Sequence, residues 1–250
     1  MILRRITEQV RDQNWFAVAL DFVIVVMGIL IAFQITNWNE ARQDNLLYQQ
    51  ARQRVIEEAQ TNLALARDFT AQARAYRSTA RDIIEDLEKC SADAGAEDRL
   101  VRALQSMKFY LGVDVLDDAT NLILNSDAFL DNVSPDDRAA LAAYARKLAR
   151  VANNVNVDYT FQLNSIGLRD IPVLTRTSRV NWGDGMAGFE LNVSYMKACA
   201  NPDLGAYMFD RYQHANYELL QAERLTEASR EVLIGLGERP PETSEIEMIP

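Results

Sequence analysis

Apolar side chains fill almost every position from 15 to 35, and Asp21 and Gln34 are the only strongly polar residues among them. A helix of this length is roughly 31 Å long at about 1.5 Å per residue, which matches the hydrocarbon thickness of a bilayer. Trp15 and Trp38 bracket the run, where interfacial tryptophans are enriched in membrane proteins. The pattern therefore predicts one helix that spans a membrane.

A cleaved signal peptide would also be apolar and close to the N-terminus. Its apolar core is typically only about 7–15 residues long, and it ends at a small-x-small cleavage site. Residues 34–39 read Gln-Ile-Thr-Asn-Trp-Asn and contain no such site. We therefore expect an uncleaved transmembrane helix at 15–37, preceded by a short cytoplasmic lead-in at 1–14.

Arginines near the two ends of the span are distributed unequally. Arg4, Arg5 and Arg11 precede it, whereas only Arg42 follows within 15 residues. Positively charged flanks tend to stay in the cytoplasm. The asymmetry predicts a single-pass protein of the bacterial inner membrane with a cytoplasmic N-terminus and a periplasmic C-terminal domain.

Beyond the span, neither glycine nor proline occurs until Gly95, so the helix can continue without a break. Apolar or small side chains recur at a spacing of three or four residues, which is typical of an amphipathic helix packed against other helices. They are Ile56, Ala59, Leu63, Ala66, Ala73, Ala80, Ile84 and Leu87, with Phe69, Tyr76 and Ile83 alongside. We expect a long, coiled-coil-like helix.

Helix start signals divide the rest of the chain. Ser134 is a capping serine followed by proline at the first helical position, and Asn201, also followed by proline, opens the last long helix. Between these helices, residues 167–188 are predicted to be irregular, and a short helix is predicted near 189–198. No alternating strand pattern is long enough to build a sheet.

The predicted fold class is all-α, with one N-terminal transmembrane helix that continues into a long helix of an extracytoplasmic helical bundle. Shorter helices are predicted near 97–111 and 117–126. The bundle is expected to cover residues 38–235. A disordered acidic tail is expected at 236–250, where prolines and four glutamates occur.

The composition argues against nucleic acids as partners. The net charge is −10, with 36 acidic and 26 basic side chains. Such an acidic chain repels phosphate backbones, and no basic stripe with interleaved aromatics is present. We expect no nucleic-acid partner; the expected partners are the lipid bilayer, further copies of the chain in a homo-oligomer, and a membrane or periplasmic protein.

Residues 21–32 read Asp-Phe-Val-Ile-Val-Val-Met-Gly-Ile-Leu-Ile-Ala, and Asn37, Trp38, Asn39 and Glu40 follow at the exit from the span. This segment resembles a family of bacterial single-pass membrane proteins that has no assigned reaction. Its members carry an acidic residue early in the span, a Gly-Ile-Leu-Ile-Ala-like centre and an Asn-Trp-Asn-Glu motif after it. The resemblance implies the same topology for this chain.

The juxtamembrane motif of Asn37, Trp38, Asn39 and Glu40 has two interpretations. In the first, the tryptophan anchors the helix at the interface while its polar neighbours are hydrated. In the second, the four residues form a docking site for a partner at the membrane surface.

Asp21 is the sharpest feature of the span, because a carboxylate in the hydrocarbon costs about 3 kcal/mol on insertion scales. Ala17, Asp21, Gly28 and Ala32 fall on one heptad-like face, and small residues four apart let helix backbones approach closely. Asp21 is a tolerated acid near the interface, a hydrogen-bonding contact in an oligomer, or a proton or cation relay. An early aspartate in a single N-terminal span is also similar to the small subunits of bacterial proton-driven stators and energy transducers.

Cys90 and Cys199 each end a helical stretch and open a turn, so they could meet at one end of the bundle and form a disulfide in an oxidising compartment. Two separate buried thiols are the alternative. His214 is the only histidine, and we expect it to serve packing or to lie at the surface. With a single histidine we expect neither a histidine-based metal cluster nor a histidine-dependent triad within one chain, and we expect neither a metal nor a cofactor.

No segment assembles a nucleophile, a base and an oxyanion donor, so we expect no catalytic residues and no enzyme activity. The predicted function is a membrane-anchored periplasmic interaction or assembly module that self-associates. One alternative is a ligand-sensing helical bundle that acts through a partner. Another is an oligomeric span that conducts ions or protons by means of Asp21.

Overall fold

The computed structural model describes residues 15–91, 93, 95–107, 112–130, 132–165, 167–180 and 187–241. The predicted lead-in at 1–14, the glycines at 183 and 185, and residues 242–250 of the predicted tail lie outside this part of the chain. The described residues are mostly helical, which confirms the all-α class.

Helix α1 covers Trp15–Lys89 and is a single helix of 75 residues. This confirms that the helix continues past the apolar run, because no helix-breaking residue interrupts it. In its first part, no side chain between Val18 and Leu47 is buried. Its second part packs into the bundle from Tyr48, which is 3% exposed, to Leu87.

Three short helices follow: α2 at Ala96–Ser106, α3 at Asp118–Leu124 and α4 at Asp127–Leu130. The first two confirm the helices predicted in these regions. Helix α3 packs on α1, and α2 packs near the end of α1 and in an apolar cluster with it.

Buried polar side chains of α1 fix the segment that leads into α3. Glu58 accepts hydrogen bonds from the Ala119 N–H at 2.7 Å and from the Thr120 hydroxyl at 2.6 Å, which satisfies two donors at the helix start. Asn62 donates to the Leu116 carbonyl at 2.8 Å and accepts from the Leu116 N–H at 2.9 Å. Burial raises the pKa of Glu58, and the bonds from Thr120 and Ala119 offset part of that effect.

Helix α5 covers Pro135–Asn164 and begins at the predicted cap, because the Ser134 hydroxyl accepts a hydrogen bond from the Asp137 N–H at 3.0 Å. Tyr48, at the start of the packed part of α1, donates to the carboxylate of Asp137 at 2.8 Å. The packed part of α1 and helix α5 therefore start at the same end of the bundle.

The chain after α5 folds differently from the prediction. After a 3₁₀ turn at Leu168–Asp170, strands β1 (Leu174–Val180) and β2 (Ala187–Leu191) pair antiparallel, with Leu174 opposite Leu191. The expectation of an irregular segment without a sheet was wrong here. Strand β1 has polar residues in succession, among them Thr175, Arg176 and Thr177, and the alternation in β2 covers only Phe189, Glu190 and Leu191. Neither pattern is long enough to predict a strand.

Gly188 lies where β2 passes close to its neighbours. A Cβ there would lie 2.9 Å from Thr177 Oγ1 and 3.4 Å from Gln105 Nε2, so glycine lets the strand approach β1 and α2. Gly188 was part of the segment predicted to be irregular, but in the structure it allows close packing of β2. The short helix predicted near 189–198 is smaller, because α6 covers only Tyr195–Cys199.

Helix α7 covers Pro202–Gly235 and begins at the predicted cap, where Asn201 Oδ1 accepts from the Leu204 N–H at 2.9 Å. Arg77, late in α1, donates to the Asn216 side chain, near the middle of α7, at 3.2 Å. One apolar cluster fills the space between the packed part of α1, α5 and the second half of α7. A second cluster joins the end of α1 to α2, the hairpin and the start of α7.

The end of α7 returns to the start of the packed part of α1, so the two helices are antiparallel. Leu236 is 3% exposed, and its carbonyl accepts a hydrogen bond from Arg52. The Glu238 N–H donates to the Leu233 carbonyl at 2.8 Å. Residues 236–238 therefore belong to the packed domain, and the predicted start of a disordered tail at 236 is too early.

Candidate functional site

Three titratable side chains converge where α5 packs on α7. Asp158 comes from α5, and His214 and Glu218 come from α7, where they lie four residues apart on one face of the helix. Asp158 Oδ2 contacts His214 Nδ1. One ligand atom from each side chain lies within 4.8 Å of the other two. We name these three residues the carboxylate–histidine cluster.

The cluster is largely buried. Glu218 is 0% exposed, His214 is 5% exposed, and the side chain of Asp158 is 13% exposed. Burial disfavours the charged form of Glu218 and the Asp158 carboxylate repels it, so the pKa of Glu218 is raised to about 8, an effect that the Val113 backbone amide partly offsets. Among the residues that the structure describes, no group meets hydrogen-bond geometry with either carboxylate oxygen of Glu218, so the nearby Val113 amide stabilises the charge only in part.

Gln162 connects the cluster to a buried arginine. Its Nε2 donates to Asp158 Oδ2 at 3.1 Å and lies 2.6 Å from His214 Nε2. Its Oε1 accepts a hydrogen bond from Arg211 Nη1 at 2.7 Å. The Arg211 guanidinium in turn lies over the Tyr207 ring, 5.0 Å from the centroid. This chain of contacts holds Asp158 and His214 in defined positions.

A cavity of about 520 Å³ opens beside the cluster. Its wall includes Asp158, Gln162, Arg211 and His214, whereas Glu218 lies outside the wall. Cavities of this size hold small molecules. Asp158 and His214 are therefore accessible to a ligand or to water from the cavity side.

Sequence reasoning expected packing or a surface position for His214, and no metal. The structure places this histidine with two carboxylates, which are metal ligands in their own right, so a single histidine does not exclude a metal site. One signal for it was present, because His214 and Glu218 have the i, i+4 spacing that puts two ligands on one helix face. The sequence around Asp158 does not indicate this site, because Asp158 approaches His214 and Glu218 only through the packing of α5 on α7.

The predicted intramembrane face lies on the exposed first part of α1. Asp21, Gly28 and Ala32 are exposed there, while the side chain of Ala17 lies outside the described part of the chain. A Cβ at Gly28 would meet no atom within 4 Å. No described part of the chain covers Gly28.

The juxtamembrane residues Asn37, Trp38, Asn39 and Glu40 are exposed along the same helix. The Arg42 guanidinium lies 5.9 Å from the ring centroid of Trp38, which is a cation–π contact. Interfacial anchoring and partner docking both stay predictions for this motif.

Cys90 and Cys199 lie next to each other at the end of α1. Cys90 directly follows the last residue of α1, and Cys199 is the last residue of α6. Both are free thiols, and burial together with the adjacent Cys90 thiol raises the pKa of Cys199 to about 11. The structure brings the two sulfurs together, and the disulfide between them stays a prediction.

No protein-family model, curated protein or solved structure matches this chain. The resemblance of residues 21–40 to a family of bacterial single-pass membrane proteins therefore stays a prediction that rests on those residues alone.

Proposed function

We propose that this protein is a membrane-anchored helical assembly module. In this proposal α1 crosses the bacterial inner membrane, its second part carries the bundle into the periplasm, and copies of the chain associate through the span. The observation that carries the proposal is the contrast between the two parts of α1. No side chain is buried between Val18 and Leu47, and packing begins at Tyr48.

The energetics of the first part favour lipid over water. An 18-residue stretch of this helix has a mean hydropathy of 2.6 and contains no buried residue. The large apolar residues that face outward between Val18 and Ile35 are 46–68% exposed. Their transfer from water to lipid is favourable by on the order of 20 kcal/mol, at about 1.5–3 kcal/mol for each full burial. Placing Asp21 in hydrocarbon costs only about 3 kcal/mol on insertion scales.

Two further observations support the anchor and its direction. The helix continues through Thr36 and Glu40 into the bundle, which favours an uncleaved anchor over a leader that is removed. Three arginines precede the span and one follows it closely, which favours a cytoplasmic N-terminus and an exported bundle.

The face of the span that contains Gly28 supports self-association. At about 100° per residue, positions 17, 21, 28 and 32 lie within about 60° of one another around the helix. Since a Cβ at Gly28 would meet no atom of the described residues within 4 Å, a second helix backbone can approach there. In such a pair, Asp21 would donate or accept a hydrogen bond across the interface instead of facing lipid.

Crosslinking in intact membranes tests self-association. Gly28→Leu adds bulk on the proposed face without touching its own chain. Ala19→Leu adds the same side chain about 180° away around the helix and is the matched control. We expect crosslinked oligomers from the wild type and Ala19→Leu, and a large loss of them in Gly28→Leu. Only monomer in all three samples, or equal crosslinking in all three, would contradict the proposal.

Reporter fusions test the anchor and its direction. Alkaline phosphatase, which folds only when exported, should be active when fused after residue 241, and a fluorescent protein that folds only in the cytoplasm should be dark there. The opposite result would contradict an exported bundle. Recovery of the intact chain in the soluble fraction would contradict the anchor.

Ligand sensing is a second candidate, favoured by the cavity beside the carboxylate–histidine cluster. Arg77 contacts Asn216 near the cavity, so the cavity lies about 60 Å along α1 from Asn37 at 1.5 Å per residue. A ligand bound there could alter the packing of a helix that leads directly to the membrane. A small-molecule thermal-shift screen of the full chain in detergent, with no stabilising compound found, would count against this role.

A further inference from the structure

We propose that the carboxylate–histidine cluster binds one divalent transition-metal ion. The ligands are an imidazole nitrogen of His214 and a carboxylate oxygen from each of Asp158 and Glu218. The proposal concerns the bundle alone, so it does not depend on membrane anchoring or self-association.

The strongest observation is the state of Glu218. It is 0% exposed, and neither carboxylate oxygen has a hydrogen-bond partner in the described part of the chain. A charged carboxylate is unfavourable in a buried position without hydrogen bonds, and proteins pair such groups with a cation or a metal ion. The neighbouring Asp158 has the same charge sign, so it adds repulsion instead of compensating the charge. A dication would compensate both carboxylates together.

The spacing of the ligand atoms fits one small ion. They lie within 4.8 Å of one another, and two ligands on one tetrahedral zinc lie about 3.3–3.6 Å apart when the bonds are about 2.0–2.2 Å. Side-chain movements of about 1 Å would place the three ligand atoms around an ion of that size, and the ion would then replace the direct contact between Asp158 Oδ2 and His214 Nδ1. One imidazole and two carboxylates suit Zn²⁺, Mn²⁺ or Fe²⁺, whereas Ca²⁺ takes about 6–8 oxygen ligands.

The surrounding contacts are those that orient metal ligands. Gln162 donates to Asp158 Oδ2 at 3.1 Å and is itself held by Arg211 at 2.7 Å. Hydrogen bonds of this kind fix the orientation of a ligating carboxylate and raise metal affinity.

The cavity gives the ion a route in and an open coordination position. Asp158 and His214 belong to its wall, so a bound ion would face a space of about 520 Å³. Three protein ligands leave a fourth position for water or a small anion, as in exchangeable metal sites. Arg211 lies in the same wall and would favour an anionic ligand.

Metal titration of the full chain in detergent micelles tests the proposal. The protein is purified through a tag without histidine, stripped with a chelator and titrated with Co²⁺, whose visible absorption reports coordination, and then with Zn²⁺ as competitor. We expect one Co²⁺ per chain, displacement by Zn²⁺, and a higher midpoint of thermal unfolding with Zn²⁺. Loss of the Gln162 amide in Gln162→Ala should weaken binding by about 10- to 100-fold.

Variants locate the site. Glu218→Gln removes one ligand with almost no change in volume and should abolish stoichiometric binding, and so should His214→Gln. Glu223→Gln makes the same chemical change at an exposed position of α7 and should bind like the wild type. The absence of saturable Co²⁺ or Zn²⁺ binding in the wild type overturns the proposal and favours a proton shared between the two carboxylates. Wild-type affinity in Glu218→Gln and His214→Gln overturns it as well.

Discussion

The side chain of Asn62 should contribute a measurable part of the stability of the bundle, because it joins three elements from a fully buried position. It is 0% exposed and makes both backbone bonds to Leu116, at 2.8 and 2.9 Å. It also donates to the Tyr144 hydroxyl of α5 at 2.9 Å, and Ser229 of α7 lies 3.4 Å from that hydroxyl. Asn62→Ala removes all three bonds and leaves the hydroxyl with the weaker contact.

The magnitude follows from these contacts. Each lost hydrogen bond is worth about 1 kcal/mol, and a buried group left without a partner costs about 1–3 kcal/mol. Leu116 is 40% exposed and its two hydrogen bonds to Asn62 are only partly buried, so the cost there lies at the low end. Alanine regains about 0.5 kcal/mol of helix propensity relative to asparagine. We expect a net loss of about 2–4 kcal/mol in the free energy of unfolding.

Chemical denaturation of the full chain in detergent, followed by circular dichroism, measures this loss. Asn153→Ala makes the same change at an exposed position of α5 and should leave stability almost unchanged. In a double-mutant cycle, Asn62→Ala and Tyr144→Phe should couple by about 1 kcal/mol. A loss no larger than that of Asn153→Ala, or a coupling of zero, would refute the reasoning.

Two further predictions concern glycine packing and the paired thiols. Gly205→Ala should stabilise the protein by about 1 kcal/mol because nothing lies within 4 Å of its Cβ, whereas Gly235→Ala should destabilise it because its Cβ would lie 2.9 Å from the Cβ of Ala140. Thermal unfolding distinguishes the two variants, and adding Ala140→Gly should restore the stability of Gly235→Ala. Equal shifts of the unfolding midpoint in Gly205→Ala and Gly235→Ala would contradict this packing. Mild oxidation should form a disulfide between Cys90 and Cys199 without global unfolding, since the two thiols are close enough to interact. Mass spectrometry after alkylation detects it, and two fully alkylated thiols after oxidation would refute it.

The elements that sequence predicted well are those fixed by local chemistry. Ser134 and Asn201 each accept the backbone hydrogen bond that a helix cap requires, so the starts of α5 and α7 could be located to the residue. The length of α1 followed from the absence of any helix breaker before its end. Its packed face followed from the spacing of its small and apolar residues, as Ala59 and Ala66 illustrate with 0% exposure.

The hairpin escaped prediction because its stability is not local. Leu174 and Leu191 pair across the hairpin and pack in the apolar cluster near α2. In the sequence, however, each of these leucines is followed directly by a polar residue. Gly188 indicated a turn by composition, whereas its role depends on Thr177 of the opposite strand. Pairing between distant segments leaves little signal in a single strand when only a few positions face the core.

Glu58 and Glu218 are both buried glutamates, but the groups around their carboxylates differ. Glu58 is 8% exposed and accepts two short hydrogen bonds, from the backbone of Ala119 and the hydroxyl of Thr120. Glu218 is buried more deeply and has no such donor among the described residues. Burial raises the pKa of both carboxyl groups, and hydrogen bonds from Thr120 and Ala119 stabilise the charged form of Glu58, whereas Glu218 is repelled by Asp158 and is stabilised only in part by the Val113 backbone amide. The same bundle therefore satisfies one buried acid with its own polar groups and places the other beside Asp158 and His214, where an external cation would complete the arrangement.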